Sequence, residues 1–170
     1  MSAFPSNPAG MLMSEKMDGC RCIFDGHGNF MSRNGHVFQA PDWFKAGMPA
    51  HRLDGELWNH RGGFDELVSA IQRKRNPWEG VSFQVFDLAV LRVPIEARHA
   101  VLGRLVLPPH VQLVPHRVCR SQADLDATEA EIVAAGGEGV CLREPGSDYT
   151  PGGFVKVKRL FPEKNRSILD

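Results

Sequence analysis

Apolar residues recur along this chain in two rhythms, which sort it into strands and helices. A period of two marks strands, because successive side chains leave opposite faces of a sheet. Met11, Met13 and Met17 alternate as the core face of a strand would, and MLMSE forms a first strand leading into Lys16. In LDGELW, Leu53 and Leu57 fall on one face and Asp54 and Glu56 on the other. VSFQVFDLAV, at 81–90, predicts a buried strand with Phe83 and Val85 on one face and Gln84, Phe86 and Leu88 on the other. Residues 20–24 and 30–33 flank DGHGN, a hairpin turn. Further strands are predicted over 51–58, in VQLV, in EGVCLRE and in GGFVKVKRL.

The second rhythm is helical. Phe64, Leu67, Val68 and Ile71 share one face and predict a helix over 64–73. PDWFKAG predicts a brief helix started by proline, and Pro94 opens another through about Leu105. Ser121 with Asp124 forms a capping pair for a helix that Gly136 and Gly137 end. Strands grouped with interspersed helices predict an α+β fold of largely antiparallel sheets. A single domain over 1–160 and a tail over 161–170 are expected.

Composition adds limits. With 170 residues, 42% of them hydrophobic, the chain can bury a core. The 20 basic and 20 acidic residues cancel, whereas a free-standing nucleic-acid binder is usually basic. The sum hides a distribution: VKVKRLFPEKNR and Arg73 to Arg75 are basic, ADLDATEAE acidic. Arg73 to Arg75 suit either a grip on a DNA backbone or a solvated helix end. No basic, apolar leader and no apolar run long enough for a bilayer are present, so a cytoplasmic location and no membrane contact are expected. Cys20, Cys22, Cys119 and Cys141 lack a zinc spacing and read as unpaired thiols of a reducing compartment. The seven histidines show no metal spacing either.

Several residues could carry chemistry. A nucleophilic lysine needs burial or nearby positive charge. Lys156 and Lys158 alternate in VKVK, so both ammonium groups share a face that could supply that charge to Lys16 and bind phosphate; a solvated edge strand is the plain alternative. Glu56 and Glu138, near strand ends, could hold Mg²⁺ with phosphate oxygens and waters, or be ordinary marginal charges. Phe86 could stack on a base or belong to the core.

Taken in order, KMDGCR, SRNG, LDGELW, FQVFDL, EGVCLR and VKVK resemble the motif set of the covalent nucleotidyltransferases: ATP-dependent DNA ligases, RNA ligases and mRNA capping enzymes. The K-x-D-G-x-R form, LDGELW followed by RGGF, and F-x-x-FDL are most similar to the small bacterial and viral DNA ligases. The resemblance covers about residues 11–160 and implies a nucleotidyltransferase (ATP-grasp-like) domain that uses ATP with Mg²⁺ or Mn²⁺ on nicked double-stranded DNA. It implies that Lys16 forms a lysyl-AMP adduct and that AMP then passes to the 5′-phosphate of the nick, which is sealed. It implies further that Lys156 and Lys158 contact the α-phosphate, Glu138 and Glu56 the metal (Glu56 also the ribose), and that Phe86 stacks on adenine. The resemblance also implies that Asp18 orients the site and that the backbone at Glu15 reads the adenine edge. By the same resemblance Arg21 and Arg33 match positions that touch the nucleotide or nick phosphates, with Arg61 a further candidate on DNA.

Family ligases follow this domain with an OB-fold domain, and only ten residues follow VKVKRL here. No OB-fold domain is therefore expected in this chain. It resembles an isolated domain, a minimal protein, or a chain with a separate OB-fold partner, in which adenylation and sealing are weak. The rival readings are a nucleic-acid-binding module of the same fold without the chemistry, an RNA ligase or capping-type enzyme, and a structural α+β domain.

Overall fold

The computed structural model describes residues 5–75 and 77–157. Ten strands and four helices follow one another as β1 (Leu12–Glu15), β2 (Cys20–Phe24), β3 (Phe30–Met31), β4 (Val37–Phe38), α1 (Asp42–Lys45), β5 (Leu53–Trp58), α2 (Phe64–Gln72), β6 (Ser82–Leu88), α3 (Ile95–Leu102), β7 (Val111–Leu113), β8 (Arg117–Val118), α4 (Gln122–Ala134), β9 (Val140–Arg143) and β10 (Val155–Val157) among the described residues. They build two sheets, ordered β10-β9-β1-β8 and β4-β3-β2-β5-β6-β7. Every pairing is antiparallel except β6 with β7. The expected α+β architecture is present.

Each sheet buries one face. On the first, Met13, Val140, Leu142 and Val157 pack with Cys119 and with Leu125 of α4. Helix α4 starts where Ser121 Oγ accepts the Asp124 amide at 3.1 Å, a cap worth about 1 kcal/mol. On the second sheet, Phe24, Phe30, Leu53, Leu57, Phe83 and Val85 pack beneath α1 and α2. Phe30 lies 4.9–5.4 Å from the rings of Phe24, Phe44 and Phe83. Trp78 is fully buried there as a packing residue. The opposite faces of the sheets carry the polar positions: Ser14, Cys141, Arg143 and Lys156 on the first, Arg21, Asp54, Glu56 and Gln84 on the second.

Three details differ from the sequence expectation. The β5–β6 register shifts between Asp54 and Gly55: Asp54 pairs with Asp87, but Gly55 pairs with Val85. Phe86 is the extra residue of a β-bulge, which reverses the alternation after it. Leu88 therefore joins Phe83 and Val85 in the core instead of sharing the face of Gln84 and Phe86. Helix α3 ends at Leu102, not near Leu105, with Pro94 as its N-cap. Strands β4 and β8, two residues each, were not anticipated. The 161–170 tail lies outside the described residues.

Candidate active site

Residues 16–19 carry the chain from the first sheet to the second. Lys16 continues the β1–β9 ladder by donating its amide to Gly139 O at 2.8 Å. Its Nζ then reaches Glu138 Oε2, and both side chains are largely buried. Gly19 ends the crossing pressed against β5: a Cβ there would stand 2.1 Å from Leu57 O and 2.9 Å from Glu56 Cγ. The Asp-Gly of this motif is thus a close approach between strands, not a turn needing a left-handed glycine. Half-buried Asp18 lies within the crossing.

The polar faces meet around this crossing. Arg21, beside Glu56 in the β2–β5 ladder, binds Asp54 with both Nε (2.6 Å) and Nη2 (2.5 Å). Its guanidinium lies 4.8 Å from the Phe86 ring centre. From the first sheet, the Arg143 guanidinium lies 4.9 Å from the same ring and 4.8 Å from Phe154. Ser14, Cys141 and Lys156 stand side by side across β1, β9 and β10. A pocket opens here, lined by Arg21, Asp54, Phe86, Arg143, Tyr149 and Phe154 among others.

Electrostatics tie the two faces together. Burial pushes the Glu56 carboxyl up to about 7; Arg21 and Lys16 oppose the rise, while Asp54 and Glu138 add to it. Burial also raises the Cys141 thiol, against the pull of Arg143, Lys16 and Lys156. Buried Arg143 donates to His116 Nε2 at 3.3 Å, so the other ring nitrogen, Nδ1, donates to Val114 O at 2.8 Å. Burial and the Arg143 charge hold His116 down at about 3, which keeps it a neutral acceptor.

The structure therefore brings together Lys16, Arg21, Glu56, Phe86, Glu138 and Lys156. Arg33 stands exposed in the turn between β3 and β4. Arg61 pairs with Glu15 through two bonds of 2.9 Å, so this candidate for DNA is internally engaged. Lys158 lies outside the described residues. Arg143, Tyr149 and Phe154 are cleft residues that the sequence reading missed. The alternation of Cys141 with Arg143 along β9 was the one available signal; Tyr149 and Phe154 lie in a connection with no periodicity. Among the described residues no group of three or more His, Cys, Asp or Glu could hold a metal. A divalent cation here would rest on one or two carboxylates, Glu56 and Glu138, and on phosphate oxygens and water, a set that suits Mg²⁺. Among the described residues no helix is long and apolar enough to cross a membrane.

This fold is that of a ligase nucleotidyltransferase domain. The chain belongs to the ATP dependent DNA ligase domain family, whose model matches residues 2–160. It is 28% identical over 144 residues to a DNA ligase of Haemophilus influenzae, an alignment covering 82% of this chain and 53% of that protein. A solved Lig E DNA ligase is 31% identical, with a TM-score of 0.82 over 90% of this chain and 63% of its own. The Chlorella virus DNA ligase-adenylate shares the fold at 18% identity, with a TM-score of 0.66 over 88% of this chain and 61% of its own. The chain thus spans about half the length of the Haemophilus relative.

Proposed function

We propose that this chain carries the adenylation chemistry of an ATP-dependent DNA ligase acting on nicked double-stranded DNA. Lys16 is the nucleophile. It leaves its pair with Glu138, gives up its ammonium proton to water, and its lone pair bonds to the α-phosphorus of ATP as the bond to pyrophosphate breaks. Lys156 and Lys158 neutralise charge on the α-phosphate. Phe86 stacks on adenine, the backbone of Glu15 reads the base edge, and Glu56 contacts the ribose. Asp18 and Arg21 orient the lysine and nucleotide. A Mg²⁺ or Mn²⁺ ion held by Glu56 and Glu138 would withdraw charge from the phosphate oxygens. AMP then passes to the 5′-phosphate of the nick, whose neighbouring 3′-hydroxyl displaces it; Arg33 and Arg61 serve the DNA. An OB-fold domain, a separate partner or part of a longer protein, assists these steps. Four buried cysteines that form no disulfide support a cytoplasmic setting.

The observation that carries this reading is the position of Lys16 on the crossing between two sheets whose polar faces converge there. Incubation with ATP and Mg²⁺ should add the mass of one AMP to the intact protein, and Lys16→Ala should abolish the gain. Nucleic-acid binding without any adduct in the unaltered chain would mean that only a binding module remains.

A further inference from the structure

The connection between β9 and β10, residues 144–154, leaves the first sheet and docks on the second. Three bonds tie it to α3: Ile95 N to Ser147 O at 3.0 Å, Arg98 Nη1 to Ser147 O at 2.8 Å, and Gly146 N to Glu96 Oε1 at 2.8 Å. A fourth reaches the site itself. The hydroxyl of Tyr149, the chain's single tyrosine, donates to Asp54 Oδ2 at 2.8 Å. Tyr149 is 8% exposed and Asp54 1%.

Asp54 is the carboxylate that grips Arg21 with both oxygens. A buried carboxylate bonded to one guanidinium can move with it. A third donor, fixed to a different element, removes that freedom. Tyr149 is that donor, and its segment starts on the strand that follows Glu138. Arg21, Asp54 and Tyr149 thus link the second sheet to the first beside Phe86. Burial and Asp54 also push the phenol up, so it stays a donor at neutral pH.

We propose that Tyr149 is a positioning residue: through Asp54 it fixes the Arg21 guanidinium and holds the two halves of the cleft in register for adenylation. This inference rests on the function proposed above. Tyr149→Phe removes one oxygen and keeps the ring. In single-turnover adduct formation it should slow the saturated rate about tenfold, the worth of one hydrogen bond to a charged group, while the half-saturating ATP concentration changes by less than about twofold. Glu96→Ala, which loosens the same segment away from Asp54, should stay within about twofold of the unaltered rate. Hydrogen exchange at the Arg21 Nε–H, followed by ¹⁵N NMR, should accelerate in Tyr149→Phe only. An unaltered rate in Tyr149→Phe, or equal slowing by Glu96→Ala, overturns the proposal. If the unaltered chain forms no adduct, the functional reading fails separately. Exchange at Arg21 then decides: acceleration confined to Tyr149→Phe supports positioning, and equal exchange in both variants overturns it.

Discussion

Glu56 stands on β5 facing the cleft, and burial raises its carboxyl to about 7 from an ordinary 4.5. In the unfolded chain it titrates near the ordinary value. Between these two limits the folded chain retains a proton that the unfolded chain has released. Stability contributed by this group is therefore complete below about pH 4.5, falls as pH rises towards 7, and is flat above. Glu56→Gln removes the titration. In chelator-treated buffer, urea unfolding should show the Gln variant gaining about 2 kcal/mol on the unaltered protein between pH 4.5 and 7.5, a figure reduced for partial exposure. A difference independent of pH would mean that the carboxyl is not desolvated. The same desolvation supports the role proposed for Glu56: a cation or a ribose hydroxyl entering the cleft would supply the partner that water no longer provides.

Among the elements, the crossing from β1 to β2 is the most constrained. Gly19→Ala would place a methyl 2.1 Å from Leu57 O, in backbone that cannot swing aside as a flexible side chain would. The strand that carries Glu56 must then move. A loss of more than about 2 kcal/mol in urea unfolding, with slower adduct formation, is expected; stability equal to the unaltered chain would show that β5 yields freely. Such elements were only partly legible in the sequence. Alternation exposed β5, because a core face opposite a polar face forces a period of two. It misassigned Leu88, because a bulge depends on pairing with another strand and leaves no trace in β6 alone. Strands β4 and β8 are too short to have a period. The candidate residues Lys16, Glu56, Phe86 and Glu138, which the structure gathers around the crossing, were named from the order of their motifs. Tyr149 was not, because its partner lies 95 positions away.

For the whole molecule, acting on nicked DNA as proposed, charge sets the hold. The formal net charge is zero, and among the arginines expected on DNA, Arg21 is engaged with Asp54 and Arg61 with Glu15. Each phosphate neutralised by a protein cation releases condensed counterions, so the salt dependence of binding counts such contacts. If these ion pairs stay closed, few contacts form, and with about two of them binding to a nicked duplex should weaken only about tenfold between 50 and 200 mM salt. Proteins making six to ten contacts lose roughly a thousandfold or more over that range. Fluorescence anisotropy of a labelled nick at several salt concentrations gives the slope directly. A thousandfold loss would mean that the ion pairs open on DNA and that the grip of a full ligase resides in these residues. A tenfold loss would place most of that grip outside them. AMP transfer to DNA would then be limited by capture of the nick, and raising nick concentration at low salt should restore sealing without changing the rate of adduct formation on Lys16.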